Sequence, residues 1–162
     1  EAFQKLLHTY QRPLYHHIRN IVLNHDDTDD VLQNTFIKVF QNLKNFKGES
    51  KLFSWMYRIA TNESLTFIKQ KAKKNNTSTE EINAKIIDNL QSDVFFDGNE
   101  IQIKLQKAIA LLPAKQQLVF KMKYFEELKY EEIATILDTS VGALKASYHH
   151  AVKKIEAYVT SN

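Results

Sequence analysis

Tyr130-Glu131-Glu132-Ile133-Ala134-Thr135-Ile136-Leu137 is followed by Asp138-Thr139-Ser140 and then by Val141-Gly142-Ala143-Leu144-Lys145. Two apolar patterns of helical spacing stand on either side of a three-residue break, which predicts a helix-turn-helix between residues 130 and 155. The first helix needs a small residue where the second crosses it, and Ala134 supplies one. The turn calls for a residue that accepts a left-handed backbone. Asp138 stands there in place of the more usual glycine, and aspartate visits that conformation more readily than most side chains. Val141, Leu144, Tyr148, Val152 and Ile155 recur along the inner side of the second helix. Lys145, Ala146, His149 and Lys153 point away from them, flanked by Ser147 and His150. A second helix with such a free face, entering N-terminus first, suits a DNA major groove. The same pattern also fits a plain helical hairpin whose outer face is only solvated.

The rest of the chain repeats the helical theme. Only 3 Gly and 2 Pro occur in 162 residues, too few for the many turns of an all-β fold. Phe3, Leu6, Leu7, Tyr10, Leu14, Ile18 and Ile21 predict a helix over about 2–24, kinked or divided at Pro13. A second helix is expected from Asp27 as N-cap, with Asp29 and Asp30 in the first turn and an apolar stripe of Leu32, Phe36, Val39, Phe40 and Leu43. A third, capped by Ser50, runs to about residue 72; Arg58, Asn62, Thr66 and Lys69 share one of its faces. Residues 75–99 are acidic and rich in Asn, Ser and Thr; Thr77-x-x-Glu80 and Ser78-x-x-Glu81 both have the form of a capping box. That segment reads as a linker with a short local helix near 80–90. Helices at about 100–111 and from Pro113 to Tyr124 precede the helix-turn-helix. The expected fold is all-α: two small helical domains, 1–74 and 100–162, joined by an acidic linker at 75–99.

Charge follows the same division. Residues 1–74 hold 12 Lys/Arg against 7 Asp/Glu, residues 75–100 hold 1 against 6, and residues 101–162 hold 9 against 6. Two basic blocks flanking an acidic one have a plausible electrostatic partner in phosphate. Between the second and third helices, Phe46, Lys47, Ser50, Lys51, Trp55, Tyr57, Arg58, Asn62 and Lys69 mix rings, amides and cations. Rings stack on unpaired bases, amides read base edges and cations hold phosphates. Trp55 lies on the apolar stripe and is assigned to the core instead.

Catalytic and metal chemistry find little support. With no cysteine there is no disulfide, thiolate zinc site or cysteine nucleophile. Asp26, Asp27, Asp29 and Asp30 lack the central glycine and closing glutamate of a calcium loop, so helix capping and a partner-binding face explain them better. His16-His17 and His149-His150 are adjacent on helices, where neighbouring side chains diverge. No glycine-rich phosphate loop, HExxH or nucleophile elbow occurs. No cofactor or metal is called for. No apolar run approaches the length of a membrane span and no leader precedes a cleavage site, so a cytoplasmic protein without membrane insertion is expected.

Several segments resemble one family in its own order. Asp27-Thr28-Asp29-Asp30-Val31-Leu32-Gln33-Asn34-Thr35-Phe36 is similar to the polymerase-binding helix of the extracytoplasmic-function (ECF) group of sigma-70-family factors. Phe46-Lys47-Gly48-Glu49-Ser50 with Phe53-Ser54-Trp55-Met56-Tyr57-Arg58-Ile59-Ala60-Thr61-Asn62 resembles its −10 recognition segment. Leu112-Pro113-Ala114-Lys115-Gln116-Gln117-Leu118-Val119-Phe120, Tyr130-Glu131-Glu132-Ile133-Ala134 and Ser140-Val141-Gly142-Ala143-Leu144-Lys145 resemble its C-terminal domain, the last being the start of the −35 helix. The resemblance implies a non-enzymatic sigma factor that directs transcription initiation. Core RNA polymerase would be bound through Asp27, Asp30, Gln33 and Asn34. The −10 element would be read by Phe46, Lys47, Ser50, Lys51, Arg58, Asn62 and Lys69. The −35 element would be read by Ser140, Lys145, Ala146, Ser147, His149, His150 and Lys153. It also implies an anti-sigma factor as a partner. Many members carry Arg where Ser147 and His150 stand here, which implies weaker phosphate contacts or a different sequence choice. Two other readings remain: a DNA-binding regulator that acts without polymerase, and a helical adaptor that binds only proteins.

Overall fold

A computed structural model describes residues 1–48, 51–90 and 98–161. Within them the chain is built from eight α-helices. They are α1 (Ala2–Val22), α2 (His25–Asn42), α3 (Leu52–Lys74), α4 (Thr79–Asp88), α5 (Glu100–Ala110), α6 (Ala114–Tyr124), α7 (Tyr130–Leu137) and α8 (Val141–Thr160). A 3-10 turn at Leu43–Asn45 closes α2.

The helices α1, α2 and α3 pack against one another as a three-helix unit around Leu14, Ile18, Val31, Val39 and Met56, all essentially without exposure. Of the two outcomes expected at Pro13, division does not occur: α1 runs through it as one helix. Proline removes the hydrogen bond to the carbonyl four residues earlier. Here that carbonyl belongs to Thr9, and Thr9, Arg12 and Pro13 are all exposed, so the gap in the hydrogen-bond ladder lies on the solvent side of the helix. Helix α1 ends instead at Leu23, in the left-handed conformation at φ 69°. The cap of α2 also differs from the sequence reading. Asn24 is the N-cap and its Oδ1 accepts from the Asp27 amide at 2.9 Å. Asp27 lies inside the first turn, and its carboxylate takes Lys71 Nζ of α3 at 2.5 Å. Before α3, Gly48 has φ +72°, a backbone that side-chain-bearing residues rarely adopt. Lys51 holds the N-cap position of α3; the expected cap Ser50 lies outside the described residues.

The helices α5, α6, α7 and α8 form the second unit, with α8 touching the other three. Ile109, Phe120, Ala151 and Ile155 fill one side of it. Between the units, α4 starts at Ser78, whose hydroxyl accepts from the Glu81 amide. It is more than a linker ornament: Ile87 and Leu90 are buried with Leu23.

The two units are not separate bodies in this structure. The largest core cluster runs from Leu14 and Val31 through Met56 and Ala60 to Val119, Ile133, Ile136 and Leu144. Helix α7 lies against α3, and α6 touches α1. Lys121 of α6 is buried at this junction and donates Nζ to the Asn20 carbonyl, in the last turn of α1, at 2.6 Å. A cation suits that end of a helix.

Burial lowers the Lys121 pKa to about 8, against a smaller raising effect of the Glu126 carboxylate. A lysine depressed in the folded state opposes folding while it must carry charge. That cost is complete below about pH 8 and disappears as pH rises toward the ordinary value of 10.5. Through this group, stability is expected to rise across that window. Urea unfolding at about pH 7.5 and about pH 9.5 checks it, with Lys121→Met lacking that part of the rise. Equal pH dependence in the two chains would remove Lys121 as its source.

Candidate functional site

Three surfaces gather the residues singled out in the sequence. The first is the outer side of α2. Asp30, Gln33 and Asn34 are exposed there, while Val31, Leu32, Thr35 and Phe36 of the same turns are buried. Asp27 stands apart, turned toward Lys71. Asp29 lies 3.3 Å from His25 Nε2, one helical turn back.

Phe40 does not join the core as its spacing suggested. It is 61% exposed, and its ring meets Phe3 of α1 edge to face at 4.9 Å. Ile37 is 48% exposed beside it. With Leu7, Gln33 and Gln41, these side chains line an apolar groove of about 770 Å³ along the α1–α2 seam. The groove therefore continues the polar surface of Asp30, Gln33 and Asn34. Sequence reading missed Phe3, Leu7, Ile37 and Phe40 as site residues. The available signal was Gln33, Ile37 and Phe40 at i, i+4 and i+7, which continues the exposed face and not the buried one.

The second surface is the edge of α3 with the loop before it. Arg58, Asn62, Thr66 and Lys69 are all exposed and follow one line along the helix. Lys47 and Lys51 are exposed near its N-terminus. Phe46 is half-buried, with its ring 5.1 Å from that of Trp55. Trp55 is itself half-buried against the main core, as expected of a residue on the apolar stripe. Ser50 lies outside the described residues. Tyr57, grouped with this surface in the sequence, is instead 3% exposed and stacked on Phe53 at 4.2 Å. Burial, with the Glu126 and Glu132 carboxylates nearby, pushes its phenol well above the usual range.

The third surface is α8. Asp138 adopts the left-handed conformation, φ 53° and ψ 53°, and its amide closes α7 on the Ala134 carbonyl. Ser140 is the N-cap of α8, its hydroxyl accepting from the Ala143 amide at 3.2 Å. That bond fixes the start of the helix. Leu144 and Ala151 are fully buried and Ile155 nearly so. Lys145, Ala146, His149, His150 and Lys153 are exposed, and Ser147 is half-buried. The Lys145 ammonium stands 5.8 Å from the Tyr130 ring centroid, and Lys123 Nζ stands 4.4 Å from it. Lys154 turns back to Gln116 of α6 at 3.3 Å. A ring between two cations joins the start of α7 to the outer face of α8. Gly142 has open space where a Cβ would stand, so packing does not require glycine there.

The exposure pattern sets an expectation for stability. Phe36→Ala, at a buried site, should cost about 3–5 kcal/mol, while Phe40→Ser should change it by no more than about 1.5 kcal/mol. Denaturant midpoints of the two variants test this. A loss at Phe40 equal to that at Phe36 would place Phe40 in the core.

A family model described as sigma-70 region 2 matches residues 6–74, and one described as sigma-70, region 4 matches residues 102–155. The chain is 29% identical to the ECF RNA polymerase sigma-E factor of Haemophilus influenzae, over 96% of this chain and 86% of that protein. It is 28% identical to the ECF RNA polymerase sigma factor SigW of Bacillus subtilis, over 92% and 84%. It is 27% identical to the RNA polymerase sigma-H factor of Pseudomonas aeruginosa, over 96% and 84%. Among solved structures, the fold matches the sigma factor RpoE bound to the anti-sigma factor NepR from Bartonella quintana. That match has a TM-score of 0.73 at 17% identity, over 99% of this chain and 98% of that one. CnrH in complex with the cytosolic domain of CnrY matches with a TM-score of 0.72 at 20% identity, over 99% and 89%.

Proposed function

From a chain that belongs to the ECF group of the sigma-70 family, with both family regions in order, we infer an RNA polymerase sigma factor. It binds core polymerase and directs promoter-specific initiation by recognising −10 and −35 DNA. The family is one of transcription initiation factors and not of enzymes, and this chain is assigned no catalytic role. We further propose residues 1–74 as the region 2 domain, 75–99 as the acidic connection and 100–162 as the region 4 domain. The single observation that carries the reading is one chain presenting three free faces in the family's order: a polar face on α2, a cationic edge on α3 and an outer face on α8.

Each face has chemistry suited to its task. Asp30, Gln33 and Asn34 offer a carboxylate and two amides beside an apolar groove, a mixture suited to a protein partner. Asp27 orients this helix through Lys71. Along α3, Arg58 and Lys69 hold phosphates while Asn62 offers donor and acceptor to a base edge. Lys47, Lys51 and Phe46, with Ser50 in the same loop, suit a displaced strand. Helix α8 enters the major groove from Ser140, with Lys145, Ala146, Ser147 and His149 toward the bases. His150 and Lys153 lie toward the backbone. Residues 101–162 contain no arginine, so their DNA contacts rest on lysine and histidine. The acidic connection suits a basic, RNA-binding channel from which nascent RNA displaces it.

Because RpoE and CnrH are found with NepR and CnrY, we take an anti-sigma protein to be a partner of this chain as well. Among the described residues, no helix is long and apolar enough to cross a membrane. A sigma factor works where its polymerase is, so we place the chain in the cytoplasm.

Pull-down of core RNA polymerase tests the assignment. The parent chain should bind, and Asp30→Ala combined with Gln33→Ala should weaken binding at least about tenfold. A folded chain that ignores polymerase yet binds duplex DNA would be an independent regulator. In promoter binding by the assembled holoenzyme, Lys153→Ala should lower the salt slope by about 1 with little change in sequence preference, whereas Lys145→Ala should relax choice at one −35 position by about 1–3 kcal/mol. Asn62→Ala should relax choice at one −10 position by about 1–3 kcal/mol.

A further inference from the structure

A buried polar cluster joins the two helical units and serves none of the three faces. His17 of α1 is fully buried. Its Nδ1 lies 2.9 Å from each carboxylate oxygen of Glu126, in the turn between α6 and α7. Its Nε2 lies 2.7 Å from Thr61 Oγ1 of α3. Its ring is tilted against Tyr57, centroids 4.7 Å apart. The partners are 109 and 44 residues away in sequence, so only tertiary closure brings them together. Lys121 reaches the Asn20 carbonyl across the same junction.

This arrangement is incompatible with reading both promoter elements at once. Elements named for positions 35 and 10 lie about 25 base pairs apart, roughly 85 Å along a duplex at about 3.4 Å per pair. Helix α3, proposed for one element, lies directly against α7 of the helix-turn-helix proposed for the other. Tyr57 and Thr61 are buried at the junction, each immediately before a reading residue, Arg58 and Asn62. The reading helix is therefore gripped along the edge next to its exposed line.

We propose that His17, Glu126 and Thr61 form an interdomain latch that holds the free chain closed and breaks before both reading helices engage a promoter. The proposal rests on the sigma-factor reading for its consequence, but the latch itself is a property of the free chain. A buried carboxylate and imidazole are tolerated only while each has its partner. Closure is therefore favoured with the whole cluster in register, and removing one member leaves another buried without its match. An apolar seam alone would tolerate sliding; a hydrogen-bonded cluster specifies one geometry.

The absence of cysteine makes a clean test possible. Lys44 and Glu156 are exposed, one in each unit and outside the proposed binding faces. Spin labels at Lys44→Cys and Glu156→Cys report the distance between units in the free, full chain by pulsed electron resonance. The parent should give one short, narrow distance. Glu126→Ala should raise the ratio of long to short distances about tenfold or more, at unchanged helicity by circular dichroism. Thr61→Val should move it in the same direction by less. Core polymerase binding should stay at the parent level, because Glu126 lies away from the α2 face. An unchanged distribution in folded Glu126→Ala would overturn the latch. If that variant loses helicity, the isosteric Glu126→Gln decides by the same readout. A parent chain that binds no polymerase would sink the sigma reading while leaving the distance result to judge the latch.

Discussion

The structure depends on α3 being buried on more than one side. It packs against α1, α2, α4 and α7, and its Ser54, Met56, Tyr57, Ala60, Thr61 and Ser64 are all buried. Such a helix would normally need to be apolar nearly all round. This one solves the problem with small hydroxyl residues that satisfy themselves. Thr61 Oγ1 donates to the Tyr57 carbonyl and Ser64 Oγ to the Ala60 carbonyl, both at 2.7 Å. Thr35 does the same to Val31 within α2. Hydroxyls bonded back to their own helix can be buried without calling for partners elsewhere. They are short enough for neighbouring helices to approach closely. What remains open on α3 is a line of Arg58, Asn62, Thr66 and Lys69, and this line is the proposed DNA-reading edge.

The same device explains which parts of the fold could be read in advance. Most helix limits follow from apolar spacing and local caps: Asp138 at the left-handed turn, Ser78 before α4, the lysines closing α3 at Lys74. The exposed α2 triad and the outer face of α8 were legible because exposure alternates with burial at helical period. Thr61 and Ser64 were not legible as core, since threonine and serine read as surface in any pattern based on hydrophobicity. His17 was read only as half of a histidine pair, because its partners come from residues 61 and 126. Phe40 failed in the opposite direction. Periodicity places it on an apolar stripe, but the stripe is wider than the core beneath it, and its far edge forms the groove. The cap of α2 was misplaced because four aspartates compete for one role, and Asn24, two residues before the acidic run, wins it.

The distribution of polar chemistry then separates the tasks. The chemistry proposed to face a protein collects on α2, where one carboxylate and two amides border aromatic and aliphatic side chains. The cations proposed to face DNA sit on α3 and α8, each held by the apolar side of its own helix. Lys154, adjacent to Lys153, is directed to Gln116 instead. That leaves Lys145 and Lys153 as the exposed cations on the outer face of α8, so in the proposed −35 contact sequence choice leans on side-chain shape and on histidine as well as on charge.

The junction between the units is built on a different balance from either core. A closed state that is later to open should not be held only by apolar surface, since every square ångström exposed on opening would oppose it. This junction mixes apolar contacts with groups that water solvates well: the Glu126 carboxylate, the His17 imidazole and the Lys121 ammonium. Their burial carries a desolvation cost that is offset only while each keeps its partner, so the complete cluster holds one position and the loss of one member leaves another buried without its match. The depressed pKa of Lys121 is a direct sign of that cost. When the junction parts, hydration of these same groups favours the open state and partly compensates for the apolar surface exposed. The polar members therefore define one closed geometry and, compared with an all-apolar seam of the same size, make its opening less costly. That combination suits the proposed role, in which two reading helices are stored together and used far apart.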